Sequence, residues 1–488
     1  MDKTFHIVTF GCQMNVGDSD WLARALVSRG WRQVPEDEAW LFVVNTCSVR
    51  DKPEQKVYSE LGRLASSYNR GRRAKPGLTA AVGGCVAQQI GRGFFERFPF
   101  VRLVFGSDGI AGAPDALDRL AEDPSERIAL LDFLSAYPER EDVLTLPASA
   151  PVPAPAFDAD LGEPEADFSD KPAQAFVNIM QGCDNFCAYC IVPYTRGRQK
   201  SRQPDAVLAE CRTRVEQGAR ELTLLGQNVN SYGLDSSQAG GGAGVGFAGL
   251  LRQVAAIPGL LRLRFTTSHP KDIDPAVIRA FGELPNLCPA LHLPLQAGSD
   301  EVLRRMGRKY DRARYLGIVQ ALRAARPDIA LTTDLIVGFP GESEDDFLQT
   351  LEMMELVRFE SSYSFRYSDR PGVASLRLRP KVPDEVGQER LLRLQSLQNG
   401  ITKESLKALE GCETDVLLEA MSRRQDQGGS FWRGRDPGGR VVNVRMSGGS
   451  LGAEPLGSTL CGRLVRVRIL EAKNHSLLGE EAGLPWWR

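Results

Sequence analysis

The spacing of apolar positions divides the chain into three stretches of different character. In the first, short apolar runs alternate with segments whose apolar residues recur every three or four positions. Residues 6–10, 40–44 and 78–82 read as strands, and about 18–29 and 53–69 read as helices. Such alternation predicts a parallel, doubly wound sheet. A second series begins near residue 174. Residues 175–179, 221–225, 262–266, 290–295, 330–337 and 361–367 are strand-like, with helical segments at about 204–217, 247–257, 273–283, 312–324 and 343–357. Six βα units are too few for an eightfold barrel and predict a partial, open one with its site at the C-terminal strand ends. Beyond 410 the period changes again. Val465, Val467 and Ile469 alternate with Arg466 and Arg468, and Pro437-Gly438-Gly439 marks a turn. This piece predicts a small β-barrel.

The expected organisation is α/β. An N-terminal doubly wound domain covers 1–140, a linker 141–172, a partial (βα)6 barrel 173–408, a small β-barrel domain 409–475 and a tail 476–488. Residues 141–170 carry eight acidic residues and no basic one, with Pro147, Pro151, Pro153, Pro155 and Pro164 among them. Such a segment buries little apolar surface and is expected to be extended and solvated. Gly240-Gly241-Gly242-Ala243-Gly244 reads as a surface insertion, because no strand runs directly into it as a phosphate loop requires.

Composition narrows the function classes. The 488 residues are 42% hydrophobic and 25% charged, which excludes collagen-like, coiled-coil and wholly disordered chains. The net charge of −2 excludes a uniformly basic nucleic-acid coat but not a local patch. One such patch is visible: residues 421–470 hold nine arginines against three acidic residues, with Phe431 and Trp432 among them. Basic and aromatic residues on a small barrel fit an RNA-binding surface, and an ordinary charged sheet face is the alternative. No apolar run approaches the roughly 18–20 residues of a membrane span. The N-terminus runs straight into a strand-like segment without a signal peptide, so a cytoplasmic protein is expected.

Ten cysteines in a chain of this length suggest metal or redox chemistry more than a disulfide scaffold. Cys183, Cys187 and Cys190 follow directly on a strand. Three thiolates on a short loop suit an iron–sulfur cluster with one iron left open. Structural zinc would need a fourth ligand from elsewhere, and the chain has four histidines. Cys12, Cys47 and Cys85 each sit just past the C-terminal end of a strand, where ligands bind in open α/β sheets. Neighbouring strands lie roughly 5 Å apart, so the three thiols could converge. The alternative is three small buried residues.

The C-x3-C-x2-C loop after a first barrel strand resembles the radical S-adenosylmethionine superfamily. The wider wording is similar to its methylthiotransferase family: Gly11-Cys12-Gln13-Met14-Asn15, Asn45-Thr46-Cys47-Ser48-Val49-Arg50 and Gly83-Gly84-Cys85-Val86-Ala87-Gln88-Gln89. The stretch 176–202, FVNIMQGCDNFCAYCIVPYTRGRQKSR, resembles the tRNA-modifying branch of that family. So do LLGQNVNSY at 224–232, FTTSHPK at 265–271, HLPLQ at 292–296 and GFPGE at 338–342. The small β-domain resembles the family's RNA-binding TRAM domain. The Pro-rich linker and the Gly-rich insertion are the least family-like parts.

The resemblance implies two 4Fe–4S clusters. Cys183, Cys187 and Cys190 would hold one that binds S-adenosylmethionine and cleaves it to a 5′-deoxyadenosyl radical. Cys12, Cys47 and Cys85 would hold the other, which carries the sulfur and methyl. The implied reaction adds a methylthio group to carbon 2 of N(6)-dimethylallyladenosine beside the tRNA anticodon. The implied partners are tRNA, a flavodoxin- or ferredoxin-like electron donor and a sulfur source. A ribosomal-protein methylthiotransferase and a non-catalytic iron–sulfur RNA-binding or electron-carrier protein are the rival readings. Cleavage of S-adenosylmethionine by the reduced protein separates the last from the others. No membrane association is expected, and without a long apolar seam a monomer is expected.

Further candidates are Tyr189, Gln296 and Ser299, for S-adenosylmethionine or substrate contact. Arg196, Arg198, Lys200 and Arg202, then Arg304, Arg305, Arg308 and Lys309, form basic runs that could meet phosphate, as could Arg466 and Arg468. The alternative for each run is a solvated charged face. Cys211, Cys288, Cys412 and Cys461 read as core residues, and His269 and His292 as structural imidazoles.

Overall fold

A computed structural model describes residues 3–11, 13–48, 51–69, 79–138, 140, 143, 173–235, 245–422, 430–446 and 460–482. The expected linker, apart from Val143, and the Gly-rich insertion at 240–244 lie outside the described residues, as does Cys12. Among the described residues, the N-terminal part is a six-stranded, all-parallel sheet. Its elements are β1 (Thr4–Thr9), α1 (Gln13–Ser28), β2 (Arg32–Gln33), β3 (Leu41–Thr46), α2 (Asp51–Asn69), β4 (Thr79–Gly84), α3 (Cys85–Ile90), α4 (Gly93–Arg97), β5 (Val101–Phe105), α5 (Ala113–Glu122) and β6 (Ile128–Leu130). The strand order is β2-β1-β3-β4-β5-β6.

Helices cover both faces, so the central strands are buried throughout. Alternate residues of β3 serve opposite cores. Leu41 and Val43 pack with Trp21, Leu22 and Leu26 of α1 and Leu117 and Leu120 of α5. Phe42 and Val44 pack with Val57 and Leu61 of α2 and Phe94 and Phe95 of α4. The strands β2, β5 and β6 go beyond the three that periodicity suggests.

The central part continues with β7 (Gln174–Asn178), β8 (Met180–Gln181), α6 (Val192–Thr195), β9 (Lys200–Ser201), α7 (Pro204–Glu216), β10 (Glu221–Leu225), α8 (Phe247–Ala255), β11 (Arg262–Thr266), α9 (Pro275–Glu283) and β12 (Ala290–His292). It ends with α10 (Asp300–Met306), α11 (Arg312–Ala325), β13 (Ala330–Val337), α12 (Glu344–Val357), β14 (Ser361–Arg366) and α13 (Asp384–Lys407). Six parallel strands form two sheets, β7-β10-β11 and β12-β13-β14, joined by a parallel bridge between Leu263 and Leu287. This is the expected partial barrel. One continuous core runs beneath it from Ala175 to Ile401.

The C-terminal part is a closed barrel of β15 (Glu413–Met421), β16 (Ser430–Arg435), β17 (Val441–Met446), β18 (Leu464–Ala472) and β19 (Leu477–Glu481). Val465, Val467 and Ile469 point into its core as their alternation predicts. Two expectations are corrected here. Residues 477–481, assigned to a tail, form the strand that closes the barrel, with Leu477 buried in the core. Phe431 and Trp432 are buried too, at 7% and 2% exposure, Trp432 in the barrel core and Phe431 beneath the Arg445 guanidinium, so neither is an open stacking platform for bases.

The small barrel sits on the N-terminal ends of the larger barrel's strands. The Arg262 guanidinium at the start of β11 donates to the Arg435 and Asp415 carbonyls, both at 2.7 Å. Gln174 at the start of β7 donates to Glu419 at 2.6 Å. The N-terminal domain sits at the other end. Arg140 pairs with Asp18 at 2.7 Å, and Asn178, ending β7, lies 3.5 Å from the same carboxylate.

Candidate active site

The cysteine loop is closed at its base by the β8–β9 ladder, in which Gln181 pairs with Lys200. Gly182 starts the loop at φ 79°, and a Cβ there would lie 2.0 Å from the Arg198 carbonyl oxygen. Only glycine fits so close an approach. The loop thus turns back at once and carries Cys183, Cys187 and Cys190 over the C-terminal ends of the barrel strands. Cys183 and Cys187 are buried and Cys190 is half-buried.

Donors surround these sulfurs. The Asn185 backbone N–H points at Cys183 Sγ at 3.4 Å. Arg308 Nη1 lies 3.4 Å from Cys187 Sγ. His269 Nδ1 accepts from the Lys271 N–H at 3.2 Å, which leaves the proton on Nε2, 3.9 Å from the same sulfur. Burial, with Arg308 adding to it, pushes the His269 imidazole down to about 2, so it is neutral. Burial also pushes the Cys183 thiol up to about 11 and the Cys190 thiol up to about 12. Thiolates are disfavoured there without a bound cation. Three soft donors, ringed by N–H groups that suit sulfur ligands, fit an iron–sulfur cluster. Among the described residues, no three or more His, Cys, Asp or Glu side chains are gathered as a single metal ion would require.

Cys47 and Cys85 lie just past the C-terminal ends of the neighbouring strands β3 and β4, and both are buried. Gly11, at φ 124°, follows the next strand across, β1. A Cβ on it would fall 2.1 Å from Cys47 Cβ, so the chain makes room for the cysteine by omitting a side chain. Asn15 ties the two strand ends together, donating to the Thr46 carbonyl at 2.8 Å and the Phe10 carbonyl at 3.1 Å. Cradle and donor type fit a second sulfur-ligated group. The site faces the cysteine loop of the barrel. Gln227 accepts from the Gly182 N–H at 2.7 Å and donates to Met14 Sδ.

The structure redistributes the other candidates. Tyr189 stands beside the loop, its hydroxyl accepting from Arg308 at 3.3 Å, and burial raises its pKa. Gln296 lies four residues beyond β12, at φ 73°, where it forms an isolated parallel bridge with Leu335 of β13 and is buried. Ser299 caps α10 and also donates to Asp346, so its hydroxyl serves the fold and not a ligand. Arg196, Lys200 and Arg308 are corrected from phosphate contacts to interior residues, at 3%, 2% and 4% exposure. Arg196 reaches Cys85, Lys200 pairs with Asp108 and Arg308 turns to Cys187. Arg198 is exposed and paired with Asp184; Arg466 and Arg468 lie on the outer face of β18, paired with Glu413.

Arg202 pairs with Glu210 at 2.6 Å, and Arg304 and Arg305 pair with Glu301 at 2.7 Å and 2.8 Å. His292 lies between Thr332 and Asp334, at 3.0 Å and 3.3 Å. Cys211 and Cys288 are buried as expected, whereas Cys412 is exposed. The sequence reads His269 as a structural imidazole and Arg308 as one of a basic run, and assigns neither to the Cys187 sulfur that both meet. Charge and residue type gave no sign of which way either side chain turns.

Residues 177–354 match the radical SAM superfamily, and residues 4–106 match uncharacterized protein family UPF0004. The chain is 58% identical over 485 residues to the tRNA-2-methylthio-N(6)-dimethylallyladenosine synthase of Nitratidesulfovibrio vulgaris Hildenborough, covering 99% of this chain and 100% of that one. It is 54% identical over 497 residues to the protein of the same name from Oleidesulfovibrio alaskensis, covering 99% of each chain. Among solved structures, the radical S-adenosylmethionine methyltransferase TsrM from Kitasatospora setae superposes with a TM-score of 0.52 at 14% identity, over 77% of each chain. That likeness concerns the fold alone.

Proposed function

The chain belongs to the family of tRNA-2-methylthio-N(6)-dimethylallyladenosine synthases, and we propose that it adds a methylthio group to carbon 2 of N(6)-dimethylallyladenosine beside the anticodon of tRNA. Near-complete alignment at 58% identity with a relative of that name carries the reading. The radical SAM family implies S-adenosylmethionine and a 4Fe–4S cluster. In this reading Cys183, Cys187 and Cys190 hold that cluster, and Cys12, Cys47 and Cys85 hold a second. The chemistry supplied at these sites is one-electron cleavage of S-adenosylmethionine and delivery of the sulfur-bearing group.

The chain's own residues orient and shield. His269 and Arg308 aim N–H groups at Cys187, and Arg308 is itself anchored on the Pro294 carbonyl at 3.0 Å. Half-buried Tyr189 and buried Tyr310 wall the loop and help keep water from a site where reactive species must not leak. Tyr189 and Gln296 are proposed to line the S-adenosylmethionine or substrate cavity.

Arg198, Arg466 and Arg468 are proposed phosphate contacts. The small barrel holds the end of the strands opposite the cysteine loop, so it would grip tRNA away from the target base. That base would be splayed from the anticodon loop to reach the site. A flavodoxin- or ferredoxin-like donor supplies electrons, and a separate source supplies sulfur. The protein acts as a cytoplasmic monomer in this reading. Among the described residues, no helix is long and apolar enough to cross a membrane.

The test is anaerobic reconstitution with iron and sulfide counting, on wild type and on a Cys12→Ala, Cys47→Ala, Cys85→Ala variant. About eight irons against about four supports two clusters. About four in both defeats the reading.

A further inference from the structure

Arg196 belongs to the barrel, six positions past Cys190, yet its guanidinium lies inside the N-terminal domain's cysteine site. Its backbone is fixed by ending α6, where its N–H donates to the Val192 carbonyl at 2.8 Å. From there Nη2 donates to Asn15 Oδ1 at 2.8 Å, Nε points at Cys85 Sγ at 3.2 Å and Nη1 lies 3.9 Å from Met14 Sδ. Only 3% of the residue is exposed. Asn15 is itself tied to the ends of β1 and β3, so the anchor of the guanidinium is rigid.

We propose that Arg196 is a positioning residue of the second cysteine site, donating a charge-assisted hydrogen bond to the Cys85 sulfur that holds this ligand and raises the reduction potential of the cluster there. The proposal rests on the reading that Cys12, Cys47 and Cys85 hold a cluster. Guanidinium stays charged at any working pH, and its planar fork meets two partners at once. A lysine could reach only one of them at a time. Hydrogen bonds and positive charge at a ligand sulfur favour the cluster's more electron-rich state, which moves its potential upward. The geometry has a second consequence. The loop carrying one cysteine triad also supplies the donor for the other, so the two sites are held in one relative position.

The experiment is an EPR-monitored redox titration of the full-length, anaerobically reconstituted protein, with iron counting, for wild type, Arg196→Gln and Arg196→Lys. A full-length Cys183→Ala, Cys187→Ala, Cys190→Ala variant assigns the signal of the second cluster. Arg196→Gln is expected to lower that cluster's potential and leave the barrel cluster unmoved, with Arg196→Lys in between. Loss of about four irons from Arg196→Gln, with the barrel signal intact, also supports the proposal. If Arg196→Gln loses both signals by misfolding, Arg196→Lys decides by the same criterion. A second cluster retained at unchanged potential overturns the proposal. Wild type with about four irons would instead overturn the two-cluster reading, and this inference with it.

Discussion

Lys200 and Asp108 form an ion pair between the barrel and the N-terminal domain, and their side chains are 2% and 1% exposed. Asp108 also accepts from the Gln181 amide and, at 2.8 Å, from the Leu134 N–H. A buried charge left without its partner costs about 3–5 kcal/mol. Asp108→Ala should therefore reduce the unfolding free energy by that order, read as a lowered denaturation midpoint. Lys200→Ala should weaken domain docking without changing the salt dependence of tRNA binding. A salt slope reduced by about one phosphate contact in Lys200→Ala would mean that the lysine meets RNA after all.

Gly11 makes a sharper test of the second cysteine site. An alanine there must adopt φ near 124° with its Cβ 2.1 Å from Cys47 Cβ. Backbone and cysteine cannot both stay in place. Gly11→Ala is expected to lose about four irons while the barrel site keeps its own, as read by iron analysis and EPR. Full iron content in this variant would count against the cradle.

In the small barrel, stability and RNA contact should separate. Trp432 lies in the core, so Trp432→Ala should cost about 3–5 kcal/mol. Arg468 is half-exposed and paired with Glu413 at 3.0 Å. Arg468→Ala should change stability by less than about 0.5 kcal/mol but weaken tRNA binding and flatten its salt dependence. Filter binding at several salt concentrations measures both slopes. An unchanged slope would remove Arg468 from the interface.

Acid sensitivity should have one identifiable source in the N-terminal domain. Burial works against the Asp118 carboxylate, but donors from Lys3, Trp31 and Arg29 outweigh it and hold its pKa below 3.8. Folding therefore favours the charged form. That contribution is complete above the ordinary carboxylate range and is lost as pH falls through the lowered value. Asp118→Asn should cost about 1–2 kcal/mol at neutral pH, towards the low end because the group is part-exposed. Its thermal midpoint, followed on cluster-free protein, should then fall less steeply on acidification than that of wild type.

The elements with strong periodicity were legible in the sequence. All six barrel strands occur within about three residues of their expected positions, because short strand-like runs recurring between amphipathic helical segments leave few alternatives. What escaped was set by tertiary packing. β19, with Leu477-Leu478-Gly479-Glu480-Glu481, carries no alternating pattern and is a strand only because β17 and β18 flank it. Neighbouring residues on a strand point to opposite sides, yet Phe431 and Trp432 are both buried. Trp432 fills the core, and the Arg445 guanidinium lies 5.5 Å above the Phe431 ring. Cysteine spacing marked the loop chemistry. It could not tell Arg198, which faces solvent, from Arg196 and Lys200, which turn inward, since each is one cation in the same short run.

The most direct measurement is nucleoside mass spectrometry of N(6)-dimethylallyladenosine-containing tRNA after incubation with the reconstituted, reduced protein and S-adenosylmethionine. The account predicts 2-methylthio-N(6)-dimethylallyladenosine with wild type. It predicts none when either cysteine triad is replaced by alanine. Wild type that holds both clusters and cleaves S-adenosylmethionine, yet leaves the prenylated adenosine unmodified, would contradict it.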